Sequence, residues 1–204
     1  MSEAAVNRAP PGWYGKLPSL GDFASRRLPE AFVQRWDRWL QRGLVAARTQ
    51  LGEHWLDVYL VAPILRFWVA PGALGEQAWA GLMMPSVDRV GRHFPLTIAQ
   101  PLQPLAMALA SHAWFAALDA SARRVLDVEF TVERFEAALE ALDADAQAAD
   151  PDAQALATRL TAGADVHEAF SLWWCGDAGD ACEFRHFDGL PPGDAFVSLI
   201  GGEA

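Results

Sequence analysis

Lysine, cysteine and long apolar runs are all scarce in this chain of 204 residues. Lys16 is the only lysine, so arginine supplies nearly all of the positive charge. Cys175 and Cys182 are separated by six residues, which does not match the close-paired spacing of zinc ligands. We expect two reduced thiols, with a disulfide across a hairpin as the less favoured alternative. No apolar run reaches the roughly 18 residues that a transmembrane helix needs, so no membrane insertion is predicted.

The amino terminus, MSEAAVNRAPPG, lacks the apolar centre of a secretory signal. We therefore expect residues 1–11 to form a flexible leader and the protein to be cytoplasmic. The remaining residues, 12–204, are expected to fold as a single domain. Apolar residues make up 52% of the chain and nine residues are tryptophan, which is ample for one packed core.

Basic charge is scarce in the second half of the chain. The formal net charge is −10. Residues 1–100 carry 11 Lys and Arg against 8 Asp and Glu, whereas residues 101–204 carry 5 against 18. A nucleic-acid-binding protein needs a basic footprint to neutralise phosphates, so nucleic acid is not predicted as the main partner.

The clearest periodic segment is a helix that begins near Pro29. Apolar residues recur at steps of three and four from Phe32 to Leu51, and Gly52 is suited to end the helix. A basic stripe on another face consists of Arg35, Arg38 and Arg42. Such a stripe is more typical of a solvated helix face than of a binding surface.

The other elements are shorter. Strands are predicted at 12–17, 63–71, 78–84, 96–100, 169–175 and 182–189, with 195–200 as a last strand or edge segment. Helices are predicted at 111–129, 131–149 and near 152–161, with Ser111 and Thr131 as caps. Because helices occur both early and in the middle of this order, they can cover both faces of one sheet. The fold class predicted is α/β, a three-layer α–β–α sandwich with a mixed, largely antiparallel sheet.

Common catalytic and cofactor motifs are missing. The Gly15-Lys16 pair is followed by leucine, so it does not form a phosphate-binding loop, and no nucleophile elbow, zinc helix or dinucleotide fingerprint occurs. No cofactor or metal is predicted. The only cluster with catalytic potential is Ser86, Asp88 and His93, in which an Asp–His pair would act as a general base. A small hydrolase built on that cluster is kept as an alternative.

Two charged stretches carry a resemblance to a known family. GWYGKLPSLGDFASRRLP at 12–29 and MPSVDRVGRHFPLT at 84–97 resemble the signature stretches of the TagF family, also called ImpM. The resemblance covers residues 12–105. It implies a bacterial, non-enzymatic accessory protein of the type VI secretion system with a three-layer α–β–α fold. It further implies post-translational repression of secretion through binding of a forkhead-associated-domain scaffold protein.

The charged stretches contain the residues that we predict to be a partner-binding or structural signature. They are Lys16, Asp22, Arg26, Arg27, Ser86, Asp88, Arg89, Arg92 and His93. The two stretches are expected to meet at one end of the sheet. In the structural interpretation, Asp88 fixes its loop by bonding backbone amides or an arginine.

In the functional interpretation, Arg89, Arg92 or His93 faces outward and contacts a partner. An adaptor of this kind should also expose an aromatic patch, for which Trp39 on the flank of the first helix is the candidate. A structural subunit of the secretion apparatus is the remaining alternative.

Overall fold

Seven strands form one open sheet, and helices cover both of its faces. We describe a computed structural model that covers residues 9–142, 151–162, 169–179 and 182–201. The strands are β1 (Gly12–Gly15), β2 (Ala24–Arg26), β3 (Leu65–Val69), β4 (Trp79–Met84), β5 (Leu96–Pro101), β6 (Phe170–Trp174) and β7 (Arg185–Asp188). Their order across the sheet is β2-β1-β5-β4-β3-β6-β7.

The helices divide into two layers. They are α1 (Glu30–Leu51), α2 (Trp55–Leu60), α3 (Leu105–Ala110), α4 (His112–Arg124), α5 (Val132–Glu140), α6 (Pro151–Leu160) and α7 (Gly193–Gly201). One apolar cluster joins α1, α2 and α7 to one face of the sheet, and a second cluster joins α3 to α6 to the other face. The predicted three-layer sandwich is confirmed.

The sheet is antiparallel at every pairing between the described strands. The largely antiparallel character is therefore confirmed, while the parallel component implied by a mixed sheet does not occur among these strands. The two strands that flank the charged 85–95 loop, β4 and β5, pair from Trp79↔Pro101 to Met84↔Leu96. This hairpin holds residues 85–95 at one end of the sheet.

Helix α1 follows the predicted apolar period. Pro29 directly precedes it, and Gly52 ends it at a positive φ of 56°, with its N–H donating to the Arg48 carbonyl. Phe32 and Trp36 are fully buried against the sheet, and the Trp36 indole N–H donates to Thr97 Oγ1 at 2.8 Å. A buried indole needs such a partner, so the helix is fixed in position by a bond as well as by packing.

Residues 195–200 are the clearest correction to the predicted elements. They lie in helix α7 and not in a strand, with Phe196 buried against Gly43 of α1. A Cβ added at Gly43 would lie 2.5 Å from Phe196 Cγ, so the glycine allows the two helices to approach closely. A short apolar run does not distinguish a strand from a buried helix by periodicity, which is why the prediction was wrong.

Smaller differences concern element ends. Thr131 caps α5 by accepting a hydrogen bond from the Arg134 N–H, as predicted, whereas the Ser111 hydroxyl donates to the Met107 carbonyl and caps no helix N–H. Of the predicted leader, residues 1–8 lie outside the described residues, as do residues 143–149 of the predicted 131–149 helix. The division into a leader and a single domain stays a prediction.

Candidate functional site

The two charged stretches meet around the buried carboxylate of Asp88. Lys16 follows β1, and its Nζ lies 3.0 Å from Asp88 Oδ2. Arg92 Nε lies 2.7 Å from the same oxygen. The Lys16 side chain is 5% exposed and that of Asp88 is 0% exposed. The only lysine of the chain is therefore buried inside the fold, where its ammonium group neutralises a carboxylate.

Backbone amides occupy the other oxygen of Asp88. The N–H groups of Val90 and Arg92 donate to Oδ1 at 3.1 and 2.9 Å, and the Gly91 N–H donates to the Asp88 carbonyl. Burial, the largest single effect, would raise the pKa of Asp88. The hydrogen bonds from Arg92, Lys16 and Val90 together outweigh it and hold the pKa well below its usual range. The carboxylate is thus an ionised structural centre of its loop.

Arg92 joins this loop to the one after β1. Its Nη2 donates to the Gly21 carbonyl at 2.6 Å and lies 3.7 Å from Asp22 Oδ1. The backbone N–H of Arg89 donates to the Leu20 carbonyl at 2.8 Å. The expected meeting of the two stretches therefore occurs, and backbone as well as side-chain bonds carry it.

Ser86 takes part in the same junction through its backbone and its hydroxyl. Its Oγ donates to the Lys16 carbonyl at 2.7 Å. The Tyr59 hydroxyl accepts from the Ser86 N–H and donates to the Ser86 carbonyl, both at 3.0 Å. Burial, the largest effect, raises the pKa of Tyr59, so its hydroxyl keeps the proton that it donates. Tyr59 lies on α2, an element without a clear sequence pattern, and sequence reasoning missed it.

The alternative Asp–His–Ser arrangement is not formed. His93 lies edge-on to the rings of Trp55 and Tyr59, with centroids 6.1 and 5.8 Å apart. Within the described residues it has no hydrogen bond to Asp88 or Ser86. The Ser86 hydroxyl already donates to a carbonyl and the Asp88 oxygens are already occupied, so these side chains do not make a nucleophile with its base.

Gly15 explains the start of the first stretch. Its φ is +140°, a backbone conformation that residues other than glycine rarely adopt. A Cβ at this position would lie 2.2 Å from the Pro95 carbonyl oxygen. The glycine therefore lets β1 approach the end of the 85–95 loop, and this approach brings Lys16 to Asp88.

Three aromatic rings lie beside the junction. Phe23 stacks on Tyr14 and meets Phe94 edge-on, with centroids 6.1 and 4.8 Å apart. The Tyr14 hydroxyl donates to Asp37 Oδ1, and its pKa is raised first by burial and then by that carboxylate. Phe23 itself is 45% exposed, while Lys16 Nζ lies 4.7 Å from its ring centre. Phe23 is the exposed member of an otherwise buried group.

These two joined loops carry five exposed side chains, which we call the loop surface. It consists of Asp22, Phe23, Arg89, Val90 and Arg92. Val90 is 66% exposed. Exposed aromatic, aliphatic and arginine side chains on neighbouring loops are typical of a protein-binding surface.

Arg26 and Arg27 do not belong to this junction. Arg26 is exposed on the edge strand β2, and among the described residues its side chain donates only to the neighbouring Ser25 carbonyl. Arg27 donates to the Pro11 carbonyl at 3.0 Å and to the carboxylate of Glu136 on α5. Both arginines were grouped with Asp22 because they are close to it in sequence. Arg26 ends strand β2 and Arg27 follows it, however, and this strand leads the chain away from the Asp88 junction.

Trp39 is also placed differently from the prediction. It is 3% exposed, and its indole N–H donates to the Pro191 carbonyl at 2.8 Å. The exposed aromatic residue next to the arginines is instead Phe23. Trp39 was predicted to be exposed from its position on the helix face, but the connection before α7 covers it.

The described residues contain no group of three or more His, Cys, Asp or Glu side chains arranged to hold a metal ion. No helix within them combines the length and apolar character needed to cross a bilayer. Cys175 and Cys182 are both free thiols, as predicted.

Comparison with known proteins places the signature stretches in a family. Residues 12–142 match the model of the TagF N-terminal domain, described as type VI secretion system-associated. The chain belongs to the TagF family. Both stretches of the junction lie inside the match, so this TagF-family chain is a type VI secretion-associated protein.

The likeness extends beyond the TagF domain model. The crystal structure of PA0076 from Pseudomonas aeruginosa PAO1 is similar to the whole fold, with a TM-score of 0.80 and 39% sequence identity. The similarity covers 95% of each chain. It therefore extends well beyond residue 142, where the TagF match ends. A comparison with curated proteins gave no match.

Proposed function

We propose that this TagF-family protein is a cytoplasmic, post-translational repressor of type VI secretion that acts by binding a forkhead-associated-domain scaffold protein of the apparatus. The observation that carries the proposal is the construction of the loop surface. A buried carboxylate locks two loops together, and the locked loops hold Phe23, Val90 and two arginines in the solvent. A surface that is rigid before binding loses little conformational entropy when a partner binds.

The chemistry of the junction favours binding over catalysis. Each polar group of Asp88 and Ser86 bonds within the protein, so none is left to act on a substrate. The outward side chains offer an aromatic ring, an aliphatic side chain and guanidinium groups, which are contacts typical of protein interfaces. The Arg89 guanidinium is suited to a carboxylate on the partner, whereas that of Arg92 is already bonded to Asp88 and Gly21.

The test uses Arg89→Glu combined with Val90→Glu in the full chain. Both side chains are exposed, so we expect the melting temperature to stay close to wild type. Retention of the forkhead-associated-domain scaffold in a co-purification should fall by at least about tenfold, as expected when a central contact is lost. In cells that carry the apparatus, the variant should also fail to repress secretion.

Val128→Glu is the matched control. Val128 is 67% exposed, nearly the same as Val90, and lies between α4 and α5, away from the loop surface. It should retain the scaffold and repress secretion like the wild type. Full retention by the loop-surface variant would contradict the binding face, and failure of the wild type to co-purify with the scaffold would contradict the proposed partner.

A further inference from the structure

A groove on helix α1, separate from the loop surface, is flanked by three arginines. The groove has a volume of about 380 Å³, and its lining is formed by Arg35, Arg38, Gln41, Arg42, Ala73 and Leu190. It continues into a space of about 500 Å³ between α1 and the connection before α7. We call the combined feature the arginine groove.

The arginines of the groove have no acidic partners in the described part of the chain. Arg38 Nε donates to the Gln34 carbonyl, one turn earlier on the helix, and Arg35 and Arg42 form no ion pair. Like charges three or four residues apart destabilise a helix. Asp194 follows a residue that lines the groove, yet it forms no ion pair with Arg42. Within the described residues, positive charge is thus concentrated here without an ion-pair partner, on a protein whose net charge is −10.

The floor of the groove is apolar and fixed. Trp39 is buried beneath it and holds the Pro191 carbonyl by a 2.8 Å hydrogen bond. Ala73 and Leu190 contribute apolar surface next to the guanidinium groups. A ligand that fits this combination carries negative charges for the rim and an apolar side chain for the floor.

The helix geometry sets the spacing of those charges. Arg38 and Arg42 are four residues apart on α1, which corresponds to about 6 Å along the helix axis at a rise of roughly 1.5 Å per residue. An extended peptide rises about 3.3 Å per residue and its alternate side chains share one face, so side chains two positions apart cover nearly the same distance. The matching pattern is acidic–x–acidic–x–apolar, in which all three recognised side chains lie on one face of the peptide.

We propose that the arginine groove binds an extended acidic segment of a partner protein, with two carboxylates on the arginines and an apolar side chain over Ala73 and Leu190. Guanidinium groups suit this role because they bind carboxylates through two parallel hydrogen bonds. The groove and the loop surface lie at opposite ends of the sheet, since β4 begins near Ala73 and ends at the 85–95 loop. The inference does not rest on the proposed repressor function.

The experiment measures binding of a fluorescent peptide that contains Glu-Ala-Glu-Ala-Leu to the full chain by polarisation. A peptide with both glutamates replaced by glutamine is the ligand control. Arg38→Gln with Arg42→Gln should weaken binding of the acidic peptide by about tenfold or more, which corresponds to the loss of charge-assisted contacts. Arg123→Gln with Arg134→Gln removes the same charge from exposed sites on the other helix layer and should leave the affinity unchanged.

Three results would overturn the inference. Equal affinity of the two arginine double variants would mean that only net charge matters. Equal binding of the glutamate and glutamine peptides would exclude carboxylate recognition. Binding of a phosphothreonine peptide, or of phosphatidylserine vesicles, without binding of the acidic peptide would assign the groove to a different ligand.

Discussion

Replacing Lys16 by methionine tests the structural role of the Asp88 junction. Methionine keeps most of the aliphatic length of Lys16 but removes the ammonium group, which lies 3.0 Å from Asp88 Oδ2 and 4.7 Å from the centre of the Phe23 ring. Losing a hydrogen bond to a buried charged group costs about 1.5–3 kcal/mol. The larger cost of about 3–5 kcal/mol for an unpaired buried charge does not apply, because Arg92 and two amides still contact the carboxylate.

Urea unfolding at neutral pH, followed by tryptophan fluorescence, measures the effect. We expect the free energy of unfolding of Lys16→Met to fall by about 1.5–3 kcal/mol with an unchanged m value. In a protein of this size, the melting temperature should fall by about 3–12 °C. The control is Arg123→Gln, which breaks an exposed ion pair with Asp119 and should cost less than about 1 kcal/mol.

The reasoning would be refuted if Lys16→Met were as stable as Arg123→Gln. That result would mean that Lys16 contributes no more to the fold than an exposed cation does. A changed m value would instead indicate that the variant alters the compactness of the folded or unfolded state.

Two further predictions concern pH and the backbone. The pKa of Asp88 is depressed in the folded state, so its contribution to stability is present above about pH 4 and is lost as pH falls towards the folded pKa. In acid titrations, the difference in unfolding free energy between wild type and Asp88→Asn should therefore shrink below about pH 4. A difference that stays constant with pH would contradict the ionised state assigned to Asp88. Gly15→Ala combines a positive φ with a Cβ 2.2 Å from the Pro95 carbonyl oxygen. It should therefore destabilise the fold by more than about 3 kcal/mol in the urea unfolding assay. A variant as stable as the wild type would show that β1 and the 85–95 loop can separate without cost.

Much of the fold could be predicted because its elements have strong local patterns. The period of α1, the strands on either side of the 85–95 loop and the hairpin of β6 and β7 each extend over enough residues to be recognised. Three short elements, α2, α3 and β2, were missed. In such short segments, tertiary packing decides the conformation more than intrinsic propensity does.

The candidate site was predicted in its residue types but not in its pairings. The sequence indicated that Asp88 would bond amides or an arginine, and it does bond both. It did not indicate that Lys16 would be its other partner, because the two residues are 72 positions apart and meet only after β1 pairs with β5. Arg27 lies in the same charged stretch as Lys16, yet it bonds Glu136 on α5 and not Asp88.

The sequence by itself determined the α/β class, the helix periods, and the charged stretches that mark a TagF-family chain. These properties depend on neighbours along the chain, where spacing alone settles which residues share a face. Only the tertiary structure decided that Lys16 is buried, that Trp39 lies under a loop and that Phe23 is exposed. Burial of a side chain depends on which distant segment packs over it, and no local pattern contains that information.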